Sequence, residues 1–262
     1  MKFGICTSFR EVQALDKITF DYLEESVQRF LIPEKPHEDF ADRLRDARNI
    51  SIPIESANSF LPADLSLVET PQHPTDRVRI QRYVQTALQR AEQVGIRVIV
   101  FGSGAARMSP PGYSIAAATQ QILDHVATWS EWARNHGVTI AVEPLQYAET
   151  NIFNTVAETG EAVSTIAHSG AKLLADTYHM ANNDEDPDTV VPWSSLLAHV
   201  HVAEQEDRAA PGTHNEDFRP YFSALRRANY DQRISIECRW RNFVAEVGPA
   251  IATLEQHWAA TT

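Results

Sequence analysis

The feature that most constrains this chain is the alternation of short β-branched runs with longer helical patterns along almost its whole length. Such alternation is the sequence form of repeated βα units, which build a parallel sheet covered by helices. A count of about eight units is typical of a (β/α)8 barrel. Strands are predicted at residues 2–6, 20–25, 50–55, 97–101, 138–143, 172–176, 199–202 and 234–237.

Helices are predicted between these strands where apolar residues recur at three- and four-residue spacing. Gly95 and Gly137 lie where two of these helices should end, and Asn154 with Glu158 has a spacing close to that of a capping box. The clearest helical patterns cover residues 76–94, 115–136, 155–166, 217–229 and 243–258.

A chain of 262 residues suits one barrel, and no Pro/Gly/Ser-rich linker divides it. An open doubly wound sheet is the alternative, but the Gly-rich fingerprint that such folds carry after their first strand is absent. Gly102 and Gly104 follow the fourth predicted strand without a third glycine, so we interpret them as a tight βα loop and not as a nucleotide cradle. We therefore predict a single-domain α/β TIM barrel over residues 1–262.

The net charge of -12 at pH 7 disfavours partners that are bound through phosphates, so we expect no nucleic acid partner. The sequence contains neither a stretch long enough to cross a bilayer nor the apolar segment of a secretory signal, so we expect no membrane association and a cytoplasmic location. In that reducing compartment Cys6 and Cys238 should be free thiols. The oligomeric state stays open, with a homo-oligomer among the alternatives.

Reactive groups in such barrels lie at the C-terminal ends of the strands, so polar residues that end an apolar strand are the candidates. Side chains alternate along a strand, which directs Ile140 and Val142 toward the helices and Glu143 toward the barrel mouth. The same alternation places Glu237 at the mouth. Asp176 ends another strand, and His201 is the histidine of the seventh strand that lies nearer the open end.

These four side chains should converge, because they end successive strands about one βα unit apart. A single acid at a strand end is more often a capping residue, whereas four compatible ligands are hard to assign to capping. Three converging carboxylates raise one another's pKa values unless a cation or proton holds them together. The sequence therefore predicts a divalent metal at Glu143, Asp176, His201 and Glu237.

Three oxygen donors with one imidazole suit a fairly hard octahedral ion, whereas structural zinc sites favour Cys and His. We expect one Mn²⁺ ion, with Mg²⁺, Co²⁺ and Zn²⁺ as alternatives. Open coordination positions would accept substrate oxygens.

Several segments together resemble the xylose-isomerase-like superfamily of sugar and sugar phosphate isomerases and epimerases. The resemblance covers nearly the whole chain and is strongest to ketose 3-epimerases and hydroxypyruvate isomerase-like proteins. It is carried by FGSG at 101–104, VEPL at 142–145, ADTYHM at 175–180, HVHV at 199–202 and ISIE at 234–237.

The resemblance implies that the four predicted ligands are the family's metal ligands and that Glu143 and Glu237 double as catalytic acid and base. In that mechanism the carbonyl and a neighbouring hydroxyl of a small sugar or polyol-derived substrate chelate the metal. One glutamate removes the carbon-bound proton, and the other returns a proton to the opposite face of the enediolate. Return of the proton to the adjacent carbon would give aldose–ketose isomerisation.

The resemblance also implies three substrate-binding residues. Glu149, six residues beyond Glu143, and His179, three beyond Asp176, match family positions that hydrogen-bond the reacting end of the sugar. Arg208 follows His201 at seven residues, where the ketose 3-epimerase pattern has an arginine at six.

Other functions share parts of this pattern. The same enediolate chemistry can eliminate water, which makes a dehydratase of an inosose or dehydroshikimate-like substrate the main alternative. An apurinic endonuclease-like DNA repair enzyme shares the barrel but needs more metal ligands, and His37, His73 and His125 fall in predicted helices or loops. A non-catalytic sugar-binding barrel is disfavoured because both glutamates are present. The sequence leaves the substrate and its phosphorylation open.

Overall fold

The computed structural model describes residues 1–261 and shows a closed barrel in which eight parallel strands pair in sequence order, the last strand with the first. The predicted TIM-barrel fold is confirmed. The strands are β1 (Lys2–Cys6), β2 (Tyr22–Ser26), β3 (Ile54–Asn58), β4 (Val98–Phe101), β5 (Thr139–Val142), β6 (Lys172–Asp176), β7 (Leu197–Val202) and β8 (Arg233–Ile236).

Helices connect the strands and cover the outside of the barrel. The α-helices are α1 (Phe9–Val12), α2 (His37–Ala47), α3 (Arg77–Val94), α4 (Gly104–Arg107), α5 (Ile115–Asn135), α6 (Val156–Thr165), α7 (Thr177–Asn182), α8 (Arg219–Arg227) and α9 (Phe243–Ala259). A π-helical turn lies at Val27–Leu31, and 3₁₀ turns lie at Ala167–Ser169, Pro187–Trp193 and Glu206–Arg208. Within residues 1–261, no helix has the length and apolar character that a membrane span requires.

Two strands lie at positions that differ from the predicted ones. The second strand begins at Tyr22 and ends at Ser26, and the third lies at Ile54–Asn58 and not at residues 50–55. The backbone N–H of Ile50 donates to the carbonyl of Ala47, so this segment belongs to the turn after α2. Pro53 has no N–H to donate, and its carbonyl accepts from Leu23 just before β3 begins.

The helix ends follow local capping chemistry. Gly95 and Gly137 have φ values of 95° and 66°, so glycine ends two helices where the sequence indicated. The N-cap of α6 is Thr155 and not Asn154, because the Thr155 hydroxyl accepts from the Glu158 N–H at 3.0 Å. Helix α2 was not predicted, because it is rich in charged residues and buries only Phe40 and Ala47, which leaves no apolar periodicity to recognise.

The barrel interior is apolar at some strands and polar at others. Val98, Val100, Ala141 and Leu174 form a small apolar cluster of their own inside the barrel, separate from the large core between strands and helices. The alternation along β5 is as predicted, since Ile140 and Val142 belong to the helix-facing core. Buried polar residues of the interior instead come from β2, β3, β7 and β8, as Glu24, Ser56, His199 and Ser235 show.

Candidate metal and substrate site

Four side chains meet at the C-terminal mouth of the barrel. Ligand atoms of Glu143, Asp176, His201 and Glu237 all lie within 4.8 Å of one another. Nδ1 of His201 is 3.0 Å from Oε1 of Glu143 and 3.3 Å from Oε2 of Glu237. Neighbouring ligands of an octahedral ion with bonds of about 2.1 Å are about 3 Å apart, so this donor set could hold a small divalent ion.

Hydrogen bonding between neighbouring strands fixes the backbone positions of these four residues. The N–H of Glu143 donates to the carbonyl of Phe101, and the N–H of Glu237 donates to the carbonyl of Val202, so both residues continue the ladder past the ends of β5 and β8. Asp176 and His201 are paired in the register of β6 and β7. Asp176 also caps α7, since its Oδ1 accepts from the N–H of Tyr178 at 2.8 Å. Its second oxygen remains available to the cluster.

The two glutamates differ in acidity although they border one site. Burial raises the pKa of Glu143, more than the neighbouring His201 lowers it. Burial would also raise the pKa of Glu237, but His201 and Arg208 hold it at about 2. Environments that separate the pKa values of two carboxyl groups are typical of acid–base pairs.

The loop after β4 lies against Glu143. An ideal Cβ built on Gly102 would approach Oε2 of Glu143 to less than 3.0 Å, a distance that real Cβ atoms essentially never show. The FGSG segment is therefore a close-packed βα loop, as its glycine spacing predicted. Its glycine leaves space for the Glu143 carboxylate.

The three predicted substrate-binding residues lie beside the cluster. Glu149, His179 and Arg208 line a cavity of about 260 Å³ together with Glu143 and Glu237. Nε2 of His179 is 3.6 Å from Oδ2 of Asp176, and its Nδ1 accepts from the N–H of Gln146 at 3.2 Å. The exposed Glu149 accepts from the Gln146 side chain at 2.8 Å.

Arg208 contacts two of the three clustered acids. Its Nη2 lies 3.3 Å from Oδ2 of Asp176 and also bonds Oε2 of Glu237, while its guanidinium stacks 4.7 Å from the ring centre of Tyr178. Asp207 and Arg208 both adopt left-handed backbone conformations, with φ values of 61° and 52°. This unusual turn directs the side chain into the site despite the one-residue change in spacing.

Below the cluster lies a buried polar network that sequence reasoning missed. Oε1 of Glu24 is 2.9 Å from Nε2 of His201, and Oε2 of Glu24 is 2.7 Å from Nε2 of His199. The prediction for the second strand ended at Glu25, so Glu24 was not recognised as an interior residue. The alternation of side chains along β2, which directs both Tyr22 and Glu24 into the barrel, was the signal in the sequence that could have identified it.

Asn58 was missed for a similar reason, because the predicted third strand stopped before it. Its Nδ2 donates to Oε1 of Glu237 at 2.7 Å. Within residues 1–261, groups of three or more potential ligands occur at the four-residue cluster and at Cys6, Glu24 and His201. His37, His73 and His125 belong to neither group.

The family model described as xylose isomerase-like TIM barrel matches residues 12–260. The chain belongs to this family. Its curated relatives include an L-ribulose 3-epimerase of Methylomonas sp. (strain DH-1), which is 32% identical over 143 residues, or 48% of this chain and 47% of the relative. The alignment thus spans about half of that relative's length. Other relatives are named ketose 3-epimerases and hydroxypyruvate isomerases.

Solved structures with the same fold superpose over nearly the whole chain. A D-allulose 3-epimerase from Methylomonas sp. in complex with D-allulose has a TM-score of 0.80 and 19% identity, covering 98% of this chain and 97% of its own. The IolI protein with a bound zinc atom has a TM-score of 0.73 and 16% identity, covering 98% and 96%. At these identities the likeness establishes the fold alone.

Proposed function

We propose that this xylose isomerase-like barrel is a divalent-metal-dependent isomerase or epimerase of small sugars that acts through an enediolate. The observation that carries the proposal is the convergence of Glu143, Asp176, His201 and Glu237 at the barrel mouth. The names of the curated relatives support the reaction class, and the zinc atom of the IolI structure supports metal binding in this fold. The three oxygen donors favour Mn²⁺.

In this proposal the bound ion would polarise the sugar carbonyl and thereby acidify the neighbouring C–H bond. Glu143 and Glu237 carry out the proton transfer: one removes the proton, and the other supplies a proton to the opposite face of the enediolate. Both carboxylates border the same cavity, so both can contact a substrate held there.

The other residues of the cavity position the substrate. Arg208 holds Glu237 through two contacts, one to the carboxylate and one at 3.0 Å from Nε to the backbone carbonyl. His179 and Glu149 offer polar groups to the hydroxyls at the reacting end of the sugar. A cavity of about 260 Å³ with this polar lining suits a small sugar or polyol-derived substrate.

The test is solvent exchange followed by NMR. Mn²⁺-loaded protein is incubated in D₂O with a panel of ketoses, aldoses and inososes, the protein is removed, and carbon-bound deuterium is located in the recovered sugar. We expect deuterium at one carbon together with a new epimer or isomer. Glu143→Gln and Glu237→Gln should each abolish exchange while retaining the fold. Glu92→Gln, which changes a carboxylate on the exposed face of α3, is the matched control.

The outcomes separate the candidate reactions. Exchange with a new sugar supports the isomerase or epimerase. Loss of water from an inosose would reassign the same machinery to a dehydratase. No exchange with any substrate, together with cleavage of abasic DNA, would refute the proposal in favour of an endonuclease.

A further inference from the structure

Glu24 is a fully buried carboxylate in the floor beneath the proposed metal site. It lies on β2 and accepts from four side chains of three other strands. Nε2 of His201 bonds one carboxylate oxygen. Nε2 of His199 and the hydroxyls of Ser56 and Ser235 each lie 2.7 Å from the other oxygen.

A carboxylate in such surroundings is costly unless every lone pair is satisfied. Its four donors meet that requirement, so the network is complete around Glu24. An interior built only for packing would be filled more cheaply by apolar side chains, as it is at β4, β5 and β6 by Val98, Val100, Ala141 and Leu174. The donors to Glu24 instead come from β3, β7 and β8, and one of them is His201 itself.

The geometry at His201 links this network to the metal ligands. Its two ring nitrogens point in opposite directions, with Nε2 toward Glu24 and Nδ1 toward Glu143 and Glu237. An ionised carboxylate cannot donate a hydrogen bond, so the bond to Glu24 places the proton of a neutral His201 ring on Nε2. The lone pair of Nδ1 then faces the three acids.

We propose that Glu24 is a positioning residue that fixes the tautomer and ring orientation of His201 for metal binding. This inference rests on the metal site of the proposed function. His199 anchors the second oxygen of Glu24, so the carboxylate cannot rotate away from His201. A carboxylate that orients a metal-binding imidazole typically strengthens metal binding by about 10- to 100-fold.

Glu25 is a matched control on the same strand. It is also buried, but its carboxylate accepts from the backbone N–H groups of Phe9 and Ser26 and contacts no member of the cluster. Glu25→Gln therefore tests the effect of changing a buried carboxyl group on β2 without touching His201.

The experiment is calorimetric titration of metal-free protein with Mn²⁺ in the absence of sugar. We expect Glu24→Gln to raise the Kd about 10- to 100-fold, Glu24→Asp to recover part of the loss, and Glu25→Gln to stay within about twofold of the wild type. Equal Kd values for Glu24→Gln and the wild type would overturn the inference, as would an equal loss in Glu25→Gln. Absence of Mn²⁺ binding by the wild type would instead refute the metal site itself.

A second measurement needs no variant at Glu24 and so does not depend on its folding. Wild-type protein labelled with ¹⁵N at histidine and loaded with diamagnetic Zn²⁺ should show a His201 ring proton on Nε2 by long-range ¹H–¹⁵N correlation, assigned with His201→Asn. A ring proton on Nδ1, or none on Nε2, would overturn the inference whatever reaction the protein catalyses.

Discussion

A methyl group added at Gly102 would collide with the carboxylate that the proposed reaction uses for proton transfer. The ideal Cβ of Gly102→Ala lies closer than 3.0 Å to Oε2 of Glu143, and the next nearest atoms lie at 3.4 and 3.5 Å. The clash is therefore confined to the far end of one side chain. Because that side chain is flexible, the carboxylate should move while the barrel stays folded.

The size of the effect follows from this geometry. The carboxylate must retreat by about 1 Å to restore ordinary van der Waals contact. A displacement of about 1 Å in a catalytic group can reduce turnover by about 100-fold. The same displacement lengthens the contact between Glu143 and His201, now 3.0 Å, so metal affinity should fall as well.

The assay compares kcat, the Mn²⁺ Kd and the melting temperature of Gly102→Ala with those of the wild type. Gly248→Ala is the control, because it adds the same methyl group within α9, where no atom lies within 4 Å apart from the adjacent residues and the backbone of the helix itself. The control should keep full activity and change the free energy of unfolding by less than about 1 kcal/mol, because the steric conflict between the new Cβ and the ring of Pro249 opposes the gain from replacing glycine in a helix. If Gly102→Ala kept kcat and the Kd within about twofold, the reasoning about Glu143 would be refuted.

Three further predictions follow from the structure. Mn²⁺ at about 100 times its Kd should raise the free energy of unfolding by about 2.7 kcal/mol, and chelation should abolish activity; identical urea midpoints with and without Mn²⁺ would contradict the site. Burial raises the pKa of Glu25 from 4.5 to about 7 in the folded protein, so the stability that its neutral form contributes is fully present below pH 4.5 and lost as pH rises through 7. Between pH 5 and 8 the wild type should therefore lose about 2.5 kcal/mol more than Glu25→Gln in urea unfolding, and parallel profiles would disprove the shift. Asn58→Ala removes the 2.7 Å hydrogen bond to Glu237 and should lower kcat on the order of tenfold with the fold retained; an unchanged kcat would show that Glu237 is held without it.

Local patterns were sufficient for much of the fold. Strands β1 and β6 and the longer helices have the positions that periodicity indicated, because each pattern is complete within a few residues. The predicted boundaries of β2 and β3 were wrong, because the ends of these strands depend on how they pair with neighbouring strands. Leu23 pairs with Ile54, and the register then shifts so that Glu24 pairs with Ser56.

The clustering of four acidic and imidazole residues was also predictable from the sequence. Side chains alternate along each strand, and the C-terminal ends of parallel strands lie together at one mouth of the barrel. These two rules alone place the following residues at that mouth: Glu143, Asp176, His201 and Glu237. The bend that brings Arg208 into contact with Glu237 was not predictable, because it depends on two consecutive left-handed residues. Gly102 was correctly assigned to a tight loop, but its contact with Glu143 required the fold.

The sequence by itself thus determined the barrel, the order of its units and the residues that converge at its mouth, because these follow from short-range periodicity. Only the tertiary structure decided how that cluster is supported. Glu24 lies 177 residues from His201, and Asn58 lies 179 residues from Glu237. No local pattern records such pairs, since they come into contact only when the eight strands close and place the start of the chain against its end.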